Sequence, residues 1–582
     1  MALEQLSDVV QRCQTVSDDG YSSEDHDVFT IAGRSCIEAG DSAQVLSIVL
    51  DEKNQDIVQS MGWNLLPPLV RVLLNKEDQQ LPQCVAIFNH LLETCRPKEL
   101  VIGLLEQLEQ DDPEAVAGSL QLLLQPLQTV LLRLGNRKAP SVGITLSSAL
   151  EQLEKLPLPV TKEQEEDDVF SLCRCCGRLT EFIQPFVEEA TNSRKEDELR
   201  TELLKFCMKT LSHPLLMVTL RDADTLPTSP LRTFAVQILK TLRSIGEPLP
   251  SLVQQPLLRR KHVPGFLEEE VRYPKESLAS LAHLVFVHHL AADAFPTVYS
   301  PVFCLRGNME HVTVLLSSTE ESKLGKGLEL YEKSLVRLTD SSLCAELLEI
   351  RSFHTVPQSM VKVMTLCPHL HLRNKALKVF QLSIDKFDTE AKYRFFLFLL
   401  KTSAHSGVEG YIIKSIKEQI HAALQPGGSN IWFEGIHLLP LLRKVFTLPE
   451  GPETDLLQNL DRIMDSLNLL LYLIIRDKVT ENQTGIWTEL CKIEDSFLKP
   501  LRVGLDMSRA HYEREILNMK ENKKNKTQET QAEVCVTVGD ETLPHVTEES
   551  QIQALNSALY SFDLMKSVLL RIVELIQVST PA

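Results

Sequence analysis

Cys173, Cys175 and Cys176 form the only cluster of cysteines in the chain. Cys173 and Cys176 have the C-x-x-C spacing that zinc sites and thiol–disulfide centres use. A zinc ion needs further ligands, however, and neither a second C-x-x-C nor an ordered histidine pair follows. The surrounding VFSLCRCCGRLTEFIQPF reads instead as an amphipathic helix in which the thiols are small buried side chains. Histidines gather twice, as His283, His288 and His289 in LAHLVFVHHL and as His369 and His371 in PHLHL. Neither group has the acids or the H-E-x-x-H spacing of a metal site, so both read as helix-surface or capped core histidines. The expectation is a chain with no metal and no cofactor.

Catalytic signatures are missing as well. There is no G-x-x-x-x-G-K-[ST] phosphate loop, no G-x-G-x-x-G after a strand, no G-x-S-x-G elbow and no kinase signature set. The acids from Glu165 to Asp168 fall in a linker-like run, where solvation leaves a carboxylate unsuited to acid–base work. The patch Arg259, Arg260, Lys261 and His262 is short; it reads as a solvated linker, with a localisation signal as the alternative. The sequence therefore points away from an enzyme.

The elements that hold these residues are helices. Leu120, Leu123, Leu124, Leu127, Leu131 and Leu134 recur three or four apart, which lines one helical face. Leu456, Leu460, Ile463, Leu467, Leu470 and Ile474 repeat the pattern, as do Leu555, Leu559, Phe562, Met565, Leu569, Ile572 and Ile576. Short Pro, Gly and Ser breaks such as HSGVEG, QPGGSN, LPEGPE and ENQTG separate helices of about 12–20 residues, as in HEAT or armadillo pairs. At 582 residues the chain exceeds one globular core. A solenoid escapes that limit because each layer touches only its neighbours. The fold class is therefore all-α, a HEAT/armadillo-like helical-repeat solenoid with divergent repeats.

The Pro-rich stretch Gly246 to Glu270 suggests a boundary between an amino-terminal repeat domain at 1–250 and a carboxy-terminal one at 275–582. A polar insertion is expected at about 518–547, with an extended piece where Val534, Val536 and Val538 alternate. The formal net charge is -19, from 79 acidic against 60 basic residues, so nucleic acid is repelled and the surplus acid reads either as solubility or as a match for a basic or metal-bearing protein partner. MALEQLSDVV lacks the basic start and apolar run of a signal peptide. The odd count of 13 cysteines fits reduced thiols, and no uninterrupted apolar stretch reaches the ~18 residues of a membrane span. These features set the expectation of a cytoplasmic protein.

Several stretches carry a family resemblance. QSMGWNLLPPLVRVLL (Gln59 to Leu74), LLLQPLQTV (Leu122 to Val130) and TVPQSMVKVMTLCP (Thr355 to Pro368) resemble the glomulin family. So do LPEGPETDLLQNLDRIMDSLNLLLYL (Leu448 to Leu473), NQTGIWTEL (Asn482 to Leu490) and FLKPLRVGLDMSRAHYEREI (Phe497 to Ile516). The resemblance spans nearly the whole chain and departs most in the Pro-rich middle, at Glu163 to Asp168 and around Lys520 to Thr547.

That resemblance implies a non-catalytic inhibitor of cullin–RING ubiquitin ligases. Its carboxy-terminal HEAT-like repeats would bind the RING-box subunit, alongside its cullin, and occlude the docking face of the ubiquitin-conjugating enzyme. It further implies links to an FK506-binding immunophilin, to the hepatocyte-growth-factor receptor kinase and to vascular development; a general scaffold for those partners is the alternative reading. A RING mask needs a few large anchors and a polar rim on a rigid surface. The candidate anchors are Trp487 with Asn482, Gln483 and Glu489, then Arg502, Met507, Arg509, His511 and Tyr512, with Trp432 as a second aromatic. For each Trp the competing reading is a core plug, and for Arg502 and His511 a plain solvated face.

Overall fold

The structure is a computed structural model and describes residues 2–16, 21–75, 80–192, 197–220, 229–258, 272–296, 298–426, 430–477, 480–526, 537–538, 541–542 and 548–579. Almost all of them are helical, and the fold is an all-α stack of divergent helical repeats. Two compact units make up the chain, Met1–Arg337 and Leu338–Ala582. Helix starts follow local chemistry. Ser22 and Asp25 form a reciprocal capping box at Ser23–Ala39, and the Asp112 carboxylate accepts the Ala115 amide at 3.0 Å ahead of Pro113.

The leucine stripes are the core. Leu120, Leu123, Leu124, Leu127 and Leu131 are buried, as are Ile463, Leu467, Leu470 and Ile474. In the last helix, Glu548–Ser579, the buried residues include Phe562, Met565, Leu569, Ile572 and Ile576. The helix Pro113–Arg133 is by length and composition apolar enough to cross a membrane, which the search for uninterrupted apolar runs missed because glutamines interrupt it. Its stripe packs inside the first unit, and Gln128 Nε2 donates to the carbonyls of Glu181 at 2.9 Å and Phe182 at 2.8 Å. Those bonds belong to a helix seated on protein.

The division between units falls at Arg337/Leu338, rather than in the Pro-rich stretch where composition suggested a boundary. Proline is tolerated in a helix's first turn, so that stretch starts a helix, Leu249–Leu258, whose Leu249, Leu252 and Val253 are buried. This helix packs against Lys275–Phe286 and Pro301–Leu316, which keeps them all in the first unit. The patch Arg259 to His262 lies outside the described residues. In the expected polar insertion, residues 518–526 continue the long helix Lys499–Lys526, while Thr537–Val538 pairs antiparallel with Glu541–Thr542. The rest of that insertion lies outside the described residues.

Buried polar groups pin the first unit where leucines cannot. Lys326 is 7% exposed, and its ammonium donates to the carbonyls of Leu215 (2.8 Å), Leu216 (2.6 Å) and Val218 (2.7 Å). These carbonyls lie in irregular backbone after the helix Glu198–Ser212, where no helical partner is available to them. Burial pushes Lys326 down to about 7. His311, also fully enclosed, shares a hydrogen bond of 2.7 Å with the Val253 carbonyl through Nε2 and so ties Pro301–Leu316 to Leu249–Leu258. Burial drives His311 from 6.5 down to about 4, and burial followed by the neighbouring His283 does the same to His288.

A histidine held neutral by its surroundings makes the folded chain bind fewer protons than the unfolded chain below pH 6.5. The histidine contribution to the first unit's stability is therefore constant above that pH and falls as pH drops from 6.5 toward about 4. The His311 contribution is on the order of 3 kcal/mol. Thermal melts at stepped pH check this: His311→Gln, which still donates to Val253 but does not titrate, should show a shallower acid slope than the natural chain.

Candidate partner-binding surface

Asp477 organises the region that holds most of the candidate anchors. The residue is 2% exposed and ends the helix Leu460–Arg476. Its carboxylate accepts the amides of Gln483 at 2.9 Å and Thr484 at 2.8 Å, together with the Thr484 hydroxyl at 2.5 Å. Its own carbonyl accepts the indole N–H of Trp487 at 2.6 Å. One buried acid thus folds the turn between two helices back on itself. Gly485, at φ 73, completes the turn in the left-handed region that glycine enters freely.

Trp487 is half-buried, with its polar edge committed to Asp477 and its backbone amide to Asn482 Oδ1 at 3.2 Å. Asn482 also donates from Nδ2 to the Thr488 hydroxyl at 2.8 Å. The Gln483 carbonyl accepts the Gly435 amide at 2.8 Å, which joins this turn to the loop carrying Trp432. Trp432 is half-buried between Tyr393 and His437, each with ring centroids 5.4 Å away. Both tryptophans therefore combine the two readings of the sequence: part of each ring is packed and part faces solvent.

Glu489 is turned inward. It accepts two bonds from Arg443, at 2.8 and 2.7 Å, and one from Lys492 at 3.0 Å. The Arg443 hydrogen bonds hold its carboxyl well below the usual range, at about 2, against a smaller upward push from burial. This bidentate pair links Gly435–Val445 to Ile486–Ile493.

The remaining candidates lie on the helix Lys499–Lys526, which a π-helical turn at Glu494–Leu498 joins to the preceding helix. Arg509 pairs with Glu513 at 2.8 Å and with Asp563 of the last helix. Tyr512 packs edge-on against Phe562 at 5.4 Å. Arg509, Tyr512, Asn482 and Glu489 are therefore engaged inside the fold. Arg502, Met507 and His511 are exposed, Met507 at 56%, and Met507 and His511 share a face one helical turn apart.

Arg502 lines a groove of about 220 Å³ with Leu498, Lys566, Leu570, Val573 and Gln577. The groove's second wall comes from the last helix, which sequence reasoning treated as core alone. Its signal was visible: Leu570 of that wall sits off the buried stripe and is 46% exposed.

The other chemical candidates do not assemble into sites. Cys173, Cys175 and Cys176 are buried, which pushes Cys173 up to about 12, Cys175 to about 11 and Cys176 well above its ordinary value. Thiols so held are poor nucleophiles and poor metal ligands. Of the nearby acids, Glu166 and Asp167 are exposed as expected, but Glu165 and Asp168 are not solvated linker residues. Glu165 is buried and accepts the Ser229 hydroxyl, while Asp168 accepts the amides of Cys173 at 2.8 Å and Arg174 at 3.0 Å. Asp168 takes a positive φ of 47° to start the cysteine helix, which linker composition could not reveal. His283 meets Glu329 at 3.2 Å and stacks edge-on against His288, and the His369 and His371 rings lie 5.9 Å apart. Among the described residues no three His, Cys, Asp or Glu side chains converge as metal ligands.

The fold and this surface define a helical-repeat protein that presents aromatic, basic and sulfur-bearing side chains on a rigid support. A family model described as "Uncharacterised protein family, YAP/Alf4/glomulin" matches residues 1–558, and the chain belongs to that family. Mouse glomulin is 48% identical over 100% of this chain and 98% of its own length, and human glomulin is also 48% identical with the same coverage. An engineered protein of solved structure aligns with 65% of this chain and 98% of its own, at 11% identity and a TM-score of 0.24, which is too low to carry an argument.

Two outcomes test the support of this surface. Asp477→Ala removes the acceptor for three donors and should cost about 2–4 kcal/mol in urea unfolding, with Trp487 emission shifting red before the global transition. Glu489 has a depressed acidity in the folded state, so its contribution is complete above pH 4.5 and lost as pH falls from 4.5 toward about 2. Glu489→Gln should remove that acid-sensitive step from the fluorescence melt.

Proposed function

We propose that this chain is a non-catalytic, cytoplasmic inhibitor of cullin–RING ubiquitin ligases. It binds the RING-box subunit through its second unit and covers the face that recruits the ubiquitin-conjugating enzyme. The observation that carries this reading is full-length kinship, 48% identity to the mouse and human glomulins. The physical features of the second unit support it. Half-buried Trp432 and Trp487 offer rigid aromatic anchors at low ordering cost, and exposed Met507 adapts to an apolar partner. Arg502 beside an apolar groove supplies a charged rim.

Inhibition by occlusion requires area and shape, with no group poised for proton transfer or nucleophilic attack. Rigid stacked helices lose little freedom on binding, so most of the contact energy appears as affinity. Any zinc in the complex would belong to the RING partner.

Purified ligase, conjugating enzyme and ubiquitin test the proposal. An equimolar amount of the full chain should suppress ubiquitin transfer, and Arg502→Glu combined with Met507→Glu should raise the concentration needed roughly tenfold, the equivalent of about 1.4 kcal/mol at the interface. Transfer that continues unchanged at stoichiometric protein would falsify it.

A further inference from the structure

Three leucines stand exposed close together in the second unit, well away in sequence from the candidate anchors. Leu366 is 76% exposed, Leu370 60% and Leu377 40%. Leu366 ends the helix Ser352–Leu366, while Leu370 and Leu377 lie two turns apart on one face of Leu370–Lys386, about 10 Å from each other along its axis. A groove of about 250 Å³ adjoins this face, lined by Met364, Arg373, Leu377, His405, Val408 and Tyr411.

Charge on this face opposes that of the whole chain. On the helix Leu370–Lys386, Arg373 and Lys378 flank Leu370 and Leu377 while Lys375 lies on the far side, and the helix's single acid is Asp385, in a protein of formal charge -19. Lys386 is turned inward to Asp340 at 2.7 Å. Arg373 donates to the Cys367 carbonyl at 3.1 Å. Among the described residues, neither Arg373 nor the exposed Lys362 and Lys378 meets a carboxylate. Asp461 lies on the opposite wall, against Gly407.

We propose that this face docks an acidic amphipathic helix bearing leucines one heptad apart. The two-turn spacing of Leu370 and Leu377 matches the seam of a helix laid alongside, whose own leucines enter between them and the groove. Lys362, Arg373 and Lys378 then meet carboxylates flanking the partner's seam, which favours an acidic helix over a neutral one. A contact this small is transient, with affinity in the micromolar range. The inference does not rest on ligase inhibition and concerns a different part of the second unit.

The test uses the full chain and a fluorescein-labelled synthetic helical peptide with leucines at i and i+7, glutamates flanking them and alanine elsewhere. Fluorescence anisotropy should show saturable binding that weakens several-fold as salt rises from about 50 mM to about 300 mM. Leu370→Glu combined with Lys378→Glu, both on exposed positions, should weaken binding at least about tenfold with an unchanged circular-dichroism melt, a change of about 1.4 kcal/mol. The Arg502→Glu, Met507→Glu chain should bind the peptide normally. The proposal is overturned by absence of binding, by equal binding of a peptide with alanine in place of both leucines, or by equal binding to phosphatidylserine vesicles. Loss of the peptide in the Arg502/Met507 variant alone would also overturn it, by moving the contact to the other groove.

Discussion

The long helices among the described residues carry more apolar surface on one face than water tolerates, and only another helix can cover it. At about 25 cal/mol per Å² of buried apolar area, a stripe such as Leu120, Leu123, Leu124, Leu127 and Leu131 outweighs the weak helix propensity of any one segment. Within each unit the packing follows from that constraint, since a helix's apolar stripe is covered by its neighbours. Aromatics are only 6% of the chain, so branched aliphatics fill the layers and the tryptophans remain available for other work. Where stripes end, single polar groups take over, as Lys326 does for the carbonyls of Leu215, Leu216 and Val218.

The candidate surface depends on the same logic at smaller scale. Asp477 satisfies a tight turn that the leucines on either side cannot organise, and the bidentate Arg443–Glu489 pair fastens the helix that follows. Rigidity of this kind is what a masking surface needs, since it leaves the half-buried Trp432 and Trp487 with little to lose on contact. The chain belongs to the YAP/Alf4/glomulin family and is similar over its full length to mammalian glomulins, and the proposed ligase masking rests on that kinship.

Periodicity made the all-α stack and its buried leucines legible, because a three-to-four spacing is a direct record of which face is dry. It could not distinguish a polar residue facing solvent from one that closes a turn. Glu489, Arg509 and Tyr512 looked like rim residues, yet their partners Arg443, Asp563 and Phe562 are distant in sequence and visible only in three dimensions. Proline marks a helix start as readily as a domain end, and within the Pro-rich stretch Leu249–Leu258 is such a start. Arg502 and Met507 stay exposed on the helix Lys499–Lys526. The groove beside Arg502 was missed because its other wall arrives from the last helix.

Hydrogen–deuterium exchange of the full chain, alone and with a cullin bound to its RING-box subunit, tests the central claim most directly. Slowed exchange at 480–490 and 498–512, with matching protection at 566–577, is the result expected if the second unit masks the RING. Protection confined to residues before 338, or no change on adding the ligase, would contradict it.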